Sequence, residues 1–417
     1  MGSEDKNVFL ADQYLMQTGQ GKEPDMITQD LRFGLEARKK RLARKGVCLH
    51  EEYVFTDDAV RGSVSMTPED SPQPFHASRA FRETKRIREY AMNSQGKKKL
   101  RWESPVTFHA VVVDHRGRED FAVSCPACGS PSLASGLEKG CAFCGMRFSV
   151  SGLYPRISSC YFVEDVIWRH GFDERQRKRY GIIAGILFPA MSLLSIVMRG
   201  FGPGYPIWLQ LLGHMFLGAF AAAVLTFSVF MIGTYFMIGK LFALAGSALP
   251  MLGVYSSRRR LEEGMRRYDP DFSVELFEGK LVSLLGAVLY SDDRGNLNFY
   301  QGERGLPGFD DLIGFDYRGG FKLKEMTVRE GRIRVQVSVF ADNVYAGEKI
   351  RRKKERILVR MEREAGVRTD AGFSFHAVRC LSCGASFNAV HERNCPYCGS
   401  AYDAVRGDWV ITMIGKE

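Results

Sequence analysis

Between Gly181 and Val254 the chain runs for 74 residues with only two charged side chains, Arg199 and Lys240. A buried core helix can be as apolar as this, but not over such a length, so the segment reads as membrane-spanning. Gly181–Met198 alone is 18 residues, enough to cross a hydrocarbon layer about 30 Å thick. It stops at Arg199-Gly-Phe-Gly-Pro-Gly-Tyr-Pro206, where glycine and proline break a helix. A second apolar run begins at Ile207 and fades near Ile238, which predicts two spans, about 181–199 and 207–238. Lys240–Val254 can lengthen the second helix, lie in the interface or form a third span, and a third span would place the flanks on opposite sides. Setting the segment aside leaves 104 charged residues in 343, so the remainder is charge-rich and soluble in character.

The flanks are basic. Arg169, Arg175, Arg177, Lys178 and Arg179 precede the first span, Arg258, Arg259, Arg260, Arg266 and Arg267 follow the last, and the loop between carries only Arg199. Lys and Arg resist translocation, so both flanks and both termini are expected in the cytoplasm, with a multi-pass hairpin in the inner membrane. Met1–Asn7 is polar with no apolar stretch behind it, which argues against a signal peptide.

Eight of the ten cysteines form two sets: Cys125, Cys128, Cys141 and Cys144, then Cys380, Cys383, Cys395 and Cys398. Each Cys-x-x-Cys turn presents two thiolates to one ion, and the glycine after it (Gly129, Gly145, Gly384, Gly399) permits the left-handed backbone such a turn needs. Four thiolates close a tetrahedron with no position left for substrate, so two structural zinc sites are expected. Rubredoxin-like iron and redox dithiols are the other readings. Zinc-bound thiolates suit a reducing compartment. Cys48 and Cys160 read as packed core thiols.

The two flanks also resemble each other. Phe108-His109-Ala110-Val111 matches Phe375-His376-Ala377-Val378 at an offset of 267, and a basic, helical-looking stretch around Arg82–Arg88 matches Lys349–Glu355 at the same offset. Alternating strands precede each, at Tyr53–Met66 and Met326–Phe340, the second placing Ile333, Val335, Val337 and Val339 on one face. An aromatic, Phe148 or Tyr402, follows the last cysteine by four residues. A duplicated unit is expected. His109 and His376 read as core or hydrogen-bonding histidines, because the quartets are complete without them.

In the second flank, Asp269-Pro-Asp-Phe272 opens an amphipathic helix through Phe277, Leu281, Leu284, Leu285 and Val288. Strands, the ribbon and Asp408-Trp409-Val-Ile-Thr-Met-Ile414 follow. From Tyr268 to the C-terminus this resembles the Tim-forty-four-like domain, in the bacterial membrane proteins that end in a zinc ribbon. The resemblance implies an α+β cone similar to the nuclear-transport-factor-two fold, with an apolar pocket and a role in protein transport. The first flank lacks an Asp-Pro-x-Phe helix start and reads as a diverged copy. The expected organisation is an α+β lobe at 1–160 with a ribbon at 121–150, and basic linkers at 161–180 and 255–268 around the membrane segment 181–254. A second lobe spans 269–417, with its ribbon at 376–417.

No phosphate-binding loop, nucleophile elbow, His-Glu-x-x-His or dinucleotide fingerprint occurs, so no enzyme is expected. The carboxylate pairs Asp292-Asp293 and Asp310-Asp311 read as solvated loops. The formal charge of +10 falls to about +6 with eight thiolates and two zinc ions. It is concentrated in tracts: Arg38–Arg41, Lys97–Lys99, Arg351, Arg352, Lys353 and Lys354, and the juxtamembrane Arg175, Arg177, Lys178, Arg179, Arg258, Arg259 and Arg260. Either these are solvated faces or they contact anionic lipid headgroups, at about 1 kcal/mol per charge. The expected function is a membrane-anchored scaffold or adaptor for anionic lipid and an unidentified protein partner. A membrane-tethered zinc-ribbon binder of nucleic acid, or a regulator, is the alternative. It is disfavoured because the ribbon loops 130–140 and 385–394 are poor in Lys and Arg. No small-molecule substrate is indicated.

Overall fold

The computed structural model describes the backbone of residues 3–56, 59–69, 71–92, 99–116, 120–164 and 174–417, and side chains within these except 3–5, 99, 150–151, 164, 174–185 and 226–252. The architecture is mixed α+β. Residues up to Asp165 and from Gly253 onward form one compact unit, and Val166–Leu252 form a second. The two lobes expected at 1–160 and 269–417 therefore share one body. A single apolar cluster contains Tyr161 from the first flank together with Leu261, Leu285 and Val337 from the second.

The first flank runs α1 (Ser3–Gly19), α2 (Gln29–Arg44), β1 (Val47–Val54), β2 (Arg61–Ser65), β3 (Phe75–Met92) and β4 (Lys99–His115). Then come β5 (Ala122–Ser124), β6 (Pro131–Leu133), α3 (Ala134–Lys139), α4 (Val150–Leu153) and β7 (Arg156–Glu164). After α5 (Glu174–Arg199) and α6 (Ile207–Met265), the second flank runs α7 (Val274–Tyr290), β8 (Leu312–Arg329), β9 (Arg332–Ala346) and β10 (Ile350–Glu364). It ends with β11 (Val378–Arg379), β12 (Ser386–Phe387) and β13 (Val410–Lys416).

Both flanks use the same wiring. One antiparallel sheet has the order β1-β3-β4-β7, with β2 added on β3, and the other β8-β9-β10-β13. In each a helix leads into the sheet, and the cysteine hairpin is inserted before the last strand. Cys125 and Cys380 are 255 positions apart, and the first residues of β7 and β13 are 254 apart. The matched order thus follows an offset near 254, not 267. Phe108–Val111 lies in β4, while Phe375–Ala377 is turn and only Val378 enters β11.

Several boundaries move for local reasons. Tyr53–Met66 is the end of β1, a loop and β2. Met326–Phe340 is broken at Glu330-Gly331, whose φ angles of 52° and 74° suit the two-residue turn joining β8 to β9. Beyond it Ile333, Val335, Val337 and Val339 are all fully buried, as period two requires. Asp269–Phe272 precedes α7, whose N-cap is Ser273, accepting from Leu276 N–H at 3.4 Å. Of the 17 residues in α7, 13 are buried, so this helix is enclosed on all sides rather than amphipathic. The first flank supplies its missing cover. The linker expected at 161–180 contains the end of β7 and the start of α5, with 165–173 outside the described residues. The linker expected at 255–268 is mostly the last turns of α6.

The stretches around Arg82–Arg88 and Lys349–Glu355 lie within β3 and β10 and are not helical. Arg82, Thr84, Arg86 and Arg88 alternate onto one buried face. Buried arginines need partners, and both flanks provide them, Glu51 from the first and Asp316 from the second. Arg86 pairs with Glu51 at 2.6 Å and Asp316 at 3.3 Å, Arg88 pairs with Asp316, and Arg38 reaches Glu51 at 3.6 Å. The carboxylate loops are also recruited: Arg41 pairs with Asp292 at 2.7 Å and Lys45 with Asp311 at 2.6 Å. Arg41 further donates to the carbonyls of Phe309, Asp310 and Leu312. Asp269 accepts from Arg363 at 2.7 Å and from Thr369, all inside the core.

In the second unit, α5 and α6 form a helical hairpin. A Cβ at Gly218 would lie 2.6 Å from Ser192 Cα, so glycine is what allows this approach. Ser195 Oγ lies 2.8 Å from His214 Nδ1, and Gln210 bonds to Gly202 and Tyr205 in the connecting turn. These polar side chains close the corner of the hairpin. Among the described residues, Ile207–Leu225 is the one helical segment long and apolar enough to cross a membrane, with mean hydropathy 1.7. Ile186–Arg199 is a shorter apolar helix.

Candidate metal centres

Each quartet is assembled by a pair of turns of repeated geometry. Cys125 N–H donates to Ser130 O and Gly129 N–H to Cys125 O, at 2.7 and 2.8 Å. The same two bonds recur at Cys141, Cys380 and Cys395. The four closing glycines have φ between 72° and 75°, a region where other residues are strained. In every turn the first cysteine is buried and the second exposed, so each set faces outward from a root in the core.

The sulfurs of each set lie within 4.8 Å of one another. Cys125–Cys144 and Cys128–Cys141 are 3.7 Å apart, as is Cys380–Cys398, with Cys383–Cys395 at 3.8 Å. A tetrahedron with metal–sulfur bonds of about 2.3 Å has edges of about 3.8 Å. No cysteine is disulfide-bonded. Both sets can hold a metal ion, and with four thiolates each they leave no room for a fifth participant.

Two hydroxyls that spacing alone did not single out support the thiolates. Ser130 Oγ lies 3.0 Å from Cys128 and 3.2 Å from Cys141, and Ser400 Oγ lies 3.2 Å from Cys398. Hydrogen bonding to these serines brings the Cys141 and Cys398 thiols down to about 6, while burial and the neighbouring sulfurs push Cys144 and Cys383 up to about 12. The legible signal was the shared Cys-Pro-x-Cys-Gly-Ser, present at 125–130 and again at 395–400.

Neither histidine belongs to a quartet. His109 stacks on Tyr161, and burial, with Arg79 and Arg258, pushes its imidazole down to about 3. His376 Nδ1 lies 3.1 Å from Asp30. Cys160 is half-buried against Tyr14, whereas Cys48 is exposed on β1 and is not a core thiol.

The proposed lipid contacts divide. Arg175, Arg177, Lys178 and Arg179 lie in α5, with side chains outside the described residues. Arg258 is engaged by Glu275 and the buried Glu278, and Arg259 by Glu263. Arg352 pairs with Asp342 and lies over Trp102 at 4.9 Å. Arg260, Arg351, Lys353 and Lys354 are exposed. No protein-family model, curated protein or solved structure matches this chain.

Proposed function

We propose that this chain is a membrane-anchored, zinc-stabilised scaffold. Its α5–α6 hairpin crosses the inner membrane twice, and its flanks stand together in the cytoplasm as a platform for a protein partner and anionic lipid. The observation that carries this reading is the core shared by the two flanks. Segments that share a core as Tyr161, Leu261 and Leu285 do sit on one side of a bilayer, which supports reading the hairpin as an even number of crossings. The exposed apolar side chains of the hairpin, among them Leu193, Val197, Trp208, Phe216 and Phe220, are what lipid would cover.

Zinc is the proposed ion at both quartets, on the chemistry of four thiolates at tetrahedral spacing. Cys125, Cys128, Cys141 and Cys144 would hold one ion, and Cys380, Cys383, Cys395 and Cys398 the other. Bound zinc supplies cross-links between loops and no reactive position. Exposed Phe143, Leu381 and Tyr397 between the cysteines offer contact points for a partner. The Tim-forty-four-like motifs point the same way, toward protein transport, on sequence resemblance alone.

The test is affinity purification of the full chain from detergent-solubilised membranes, followed by mass spectrometry. Reproducible partners that disappear with Phe143→Ser and Leu381→Ser are expected. Failure to recover any partner, or release of the chain from membranes by alkaline carbonate, sinks the reading.

A further inference from the structure

At the roots of the two ribbons the shared core leaves a partly open cavity of roughly 90 Å³, several times the space one water requires. Both flanks build its wall: the start of α2, β4, β5 and β7 from the first, and α7 with the loop 369–377 from the second. None of the metal-site cysteines lines it. Tyr154, Phe272, Phe277, Phe373 and Trp409 contribute aromatic rings to the wall.

Three carboxyls and one amine enter this chamber, and their partners are unequal. Lys280 Nζ pairs with Asp408 at 2.9 Å and donates to Phe373 O at 3.2 Å. Asp30 has His376. Arg156 is committed to the carbonyls of Leu153 and Ile27. Asp370 accepts a single bond, from Gly372 N–H at 2.9 Å, and forms no ion pair among the described residues. Loss of hydration and the neighbouring Asp408 push its carboxyl up to about 6. At neutral pH it is nonetheless mostly ionised, with acceptor capacity unused and no cation of its own.

We propose that this cavity binds a small organic cation, a primary ammonium with a short apolar tail, placing the ammonium on Asp370 and the tail against the aromatic wall. Three carboxylates against Lys280 and Arg156, whose guanidinium is already bonded to backbone carbonyls, disfavour an anion. A neutral guest leaves the Asp370 charge uncompensated, whereas an ammonium pairs with it. An apolar chamber with a few convergent polar groups is the usual form of a small-molecule site.

The experiment is calorimetric titration of the zinc-loaded full chain, in non-ionic detergent, with n-propylammonium, 1-propanol and propionate. Saturable binding of the ammonium near or below about 1 mM is expected, with the alcohol and the acid weaker by at least about tenfold. Asp370→Asn keeps the acceptor for Gly372 N–H but removes the charge, and should cost about tenfold in affinity. It also separates site binding from partition into micelles. Should Asp370→Asn fail to fold, Lys280→Met decides, because it frees Asp408 and should tighten the ammonium. Equal affinity for alcohol and ammonium, unchanged affinity in Asp370→Asn, no tightening in Lys280→Met, or an unsaturable titration overturns the assignment.

Discussion

Asp316 of the second flank receives two buried arginines of the first. It lies within ion-pair distance of Arg86 and Arg88, and Glu51 completes the cluster with Arg86 and Arg38. Burial raises both carboxyls, but the arginines outweigh it, holding Glu51 down to about 2 and Asp316 well below the ordinary carboxylate range. A depressed carboxylate contributes stability that is complete above its unfolded pKa, near about 4, and is lost as pH falls through the folded value. Urea unfolding should therefore show a plateau above about pH 5 and a decline from about pH 4 toward pH 2. Asp316→Asn takes the ion-pair partner from buried Arg88 and leaves Arg86 with Glu51 alone, and should lose about 3–5 kcal/mol at pH 7, with the difference from wild type shrinking in acid. A variant deficit that stays constant down to pH 2 would show that the carboxylate charge is not the cause.

At the scale of elements, the ribbons and α7 differ in what holds them. A ribbon has only a small apolar cluster of its own, and a structural zinc ion bound at its cysteines would add folding free energy on the order of 10 kcal/mol. Its root is nevertheless tied to the core: Asn298 N–H donates to Val390 O at 2.7 Å, and Phe375 is buried beside Phe373 and Phe299. Cys380→Ser with Cys395→Ser, or chelation, should open 376–402 to limited proteolysis while β8–β10 stay protected. Membrane association should not change. Unaltered protease resistance of the C-terminal ribbon would refute a structural ion there. By contrast, α7 needs no metal, because its two faces are covered by elements from both flanks.

For the whole molecule, the consequence of a shared core is that neither flank is a domain. Cutting the chain between the flanks would expose α7, leave Arg88 and Arg41 without Asp316, Asp292 and the carbonyls of Phe309, Asp310 and Leu312, and leave Arg86 with Glu51 alone. Residues 1–165 or 253–417 expressed alone should be insoluble or molten. Replacing Val166–Leu252 with a long flexible linker should give one soluble, cooperatively unfolding, metal-binding unit. Circular dichroism melts and metal stoichiometry test this, and a well-folded isolated flank would disprove the single-core account.

The thiolate quartets, the break at Arg199–Pro206 and the inward faces of β9 and α7 were legible along the chain. Each depends on neighbours within about twenty positions, where spacing alone sets which side chains meet. The basic tracts misled for the opposite reason. Arg82–Arg88 has helix-compatible residues, and its strand identity rests on a period-two face whose partner Asp316 lies 228 positions from Arg88. The apolar Gly181–Val254 segment separates the flanks in sequence and so suggested two lobes. Folding joined them, because α7 is covered by elements of both flanks and Arg88 finds its carboxylate, Asp316, in the opposite one. The cavity beside Asp370 exists for the same reason: its walls are complementary surfaces brought together across the chain, and no local pattern encodes the space between them.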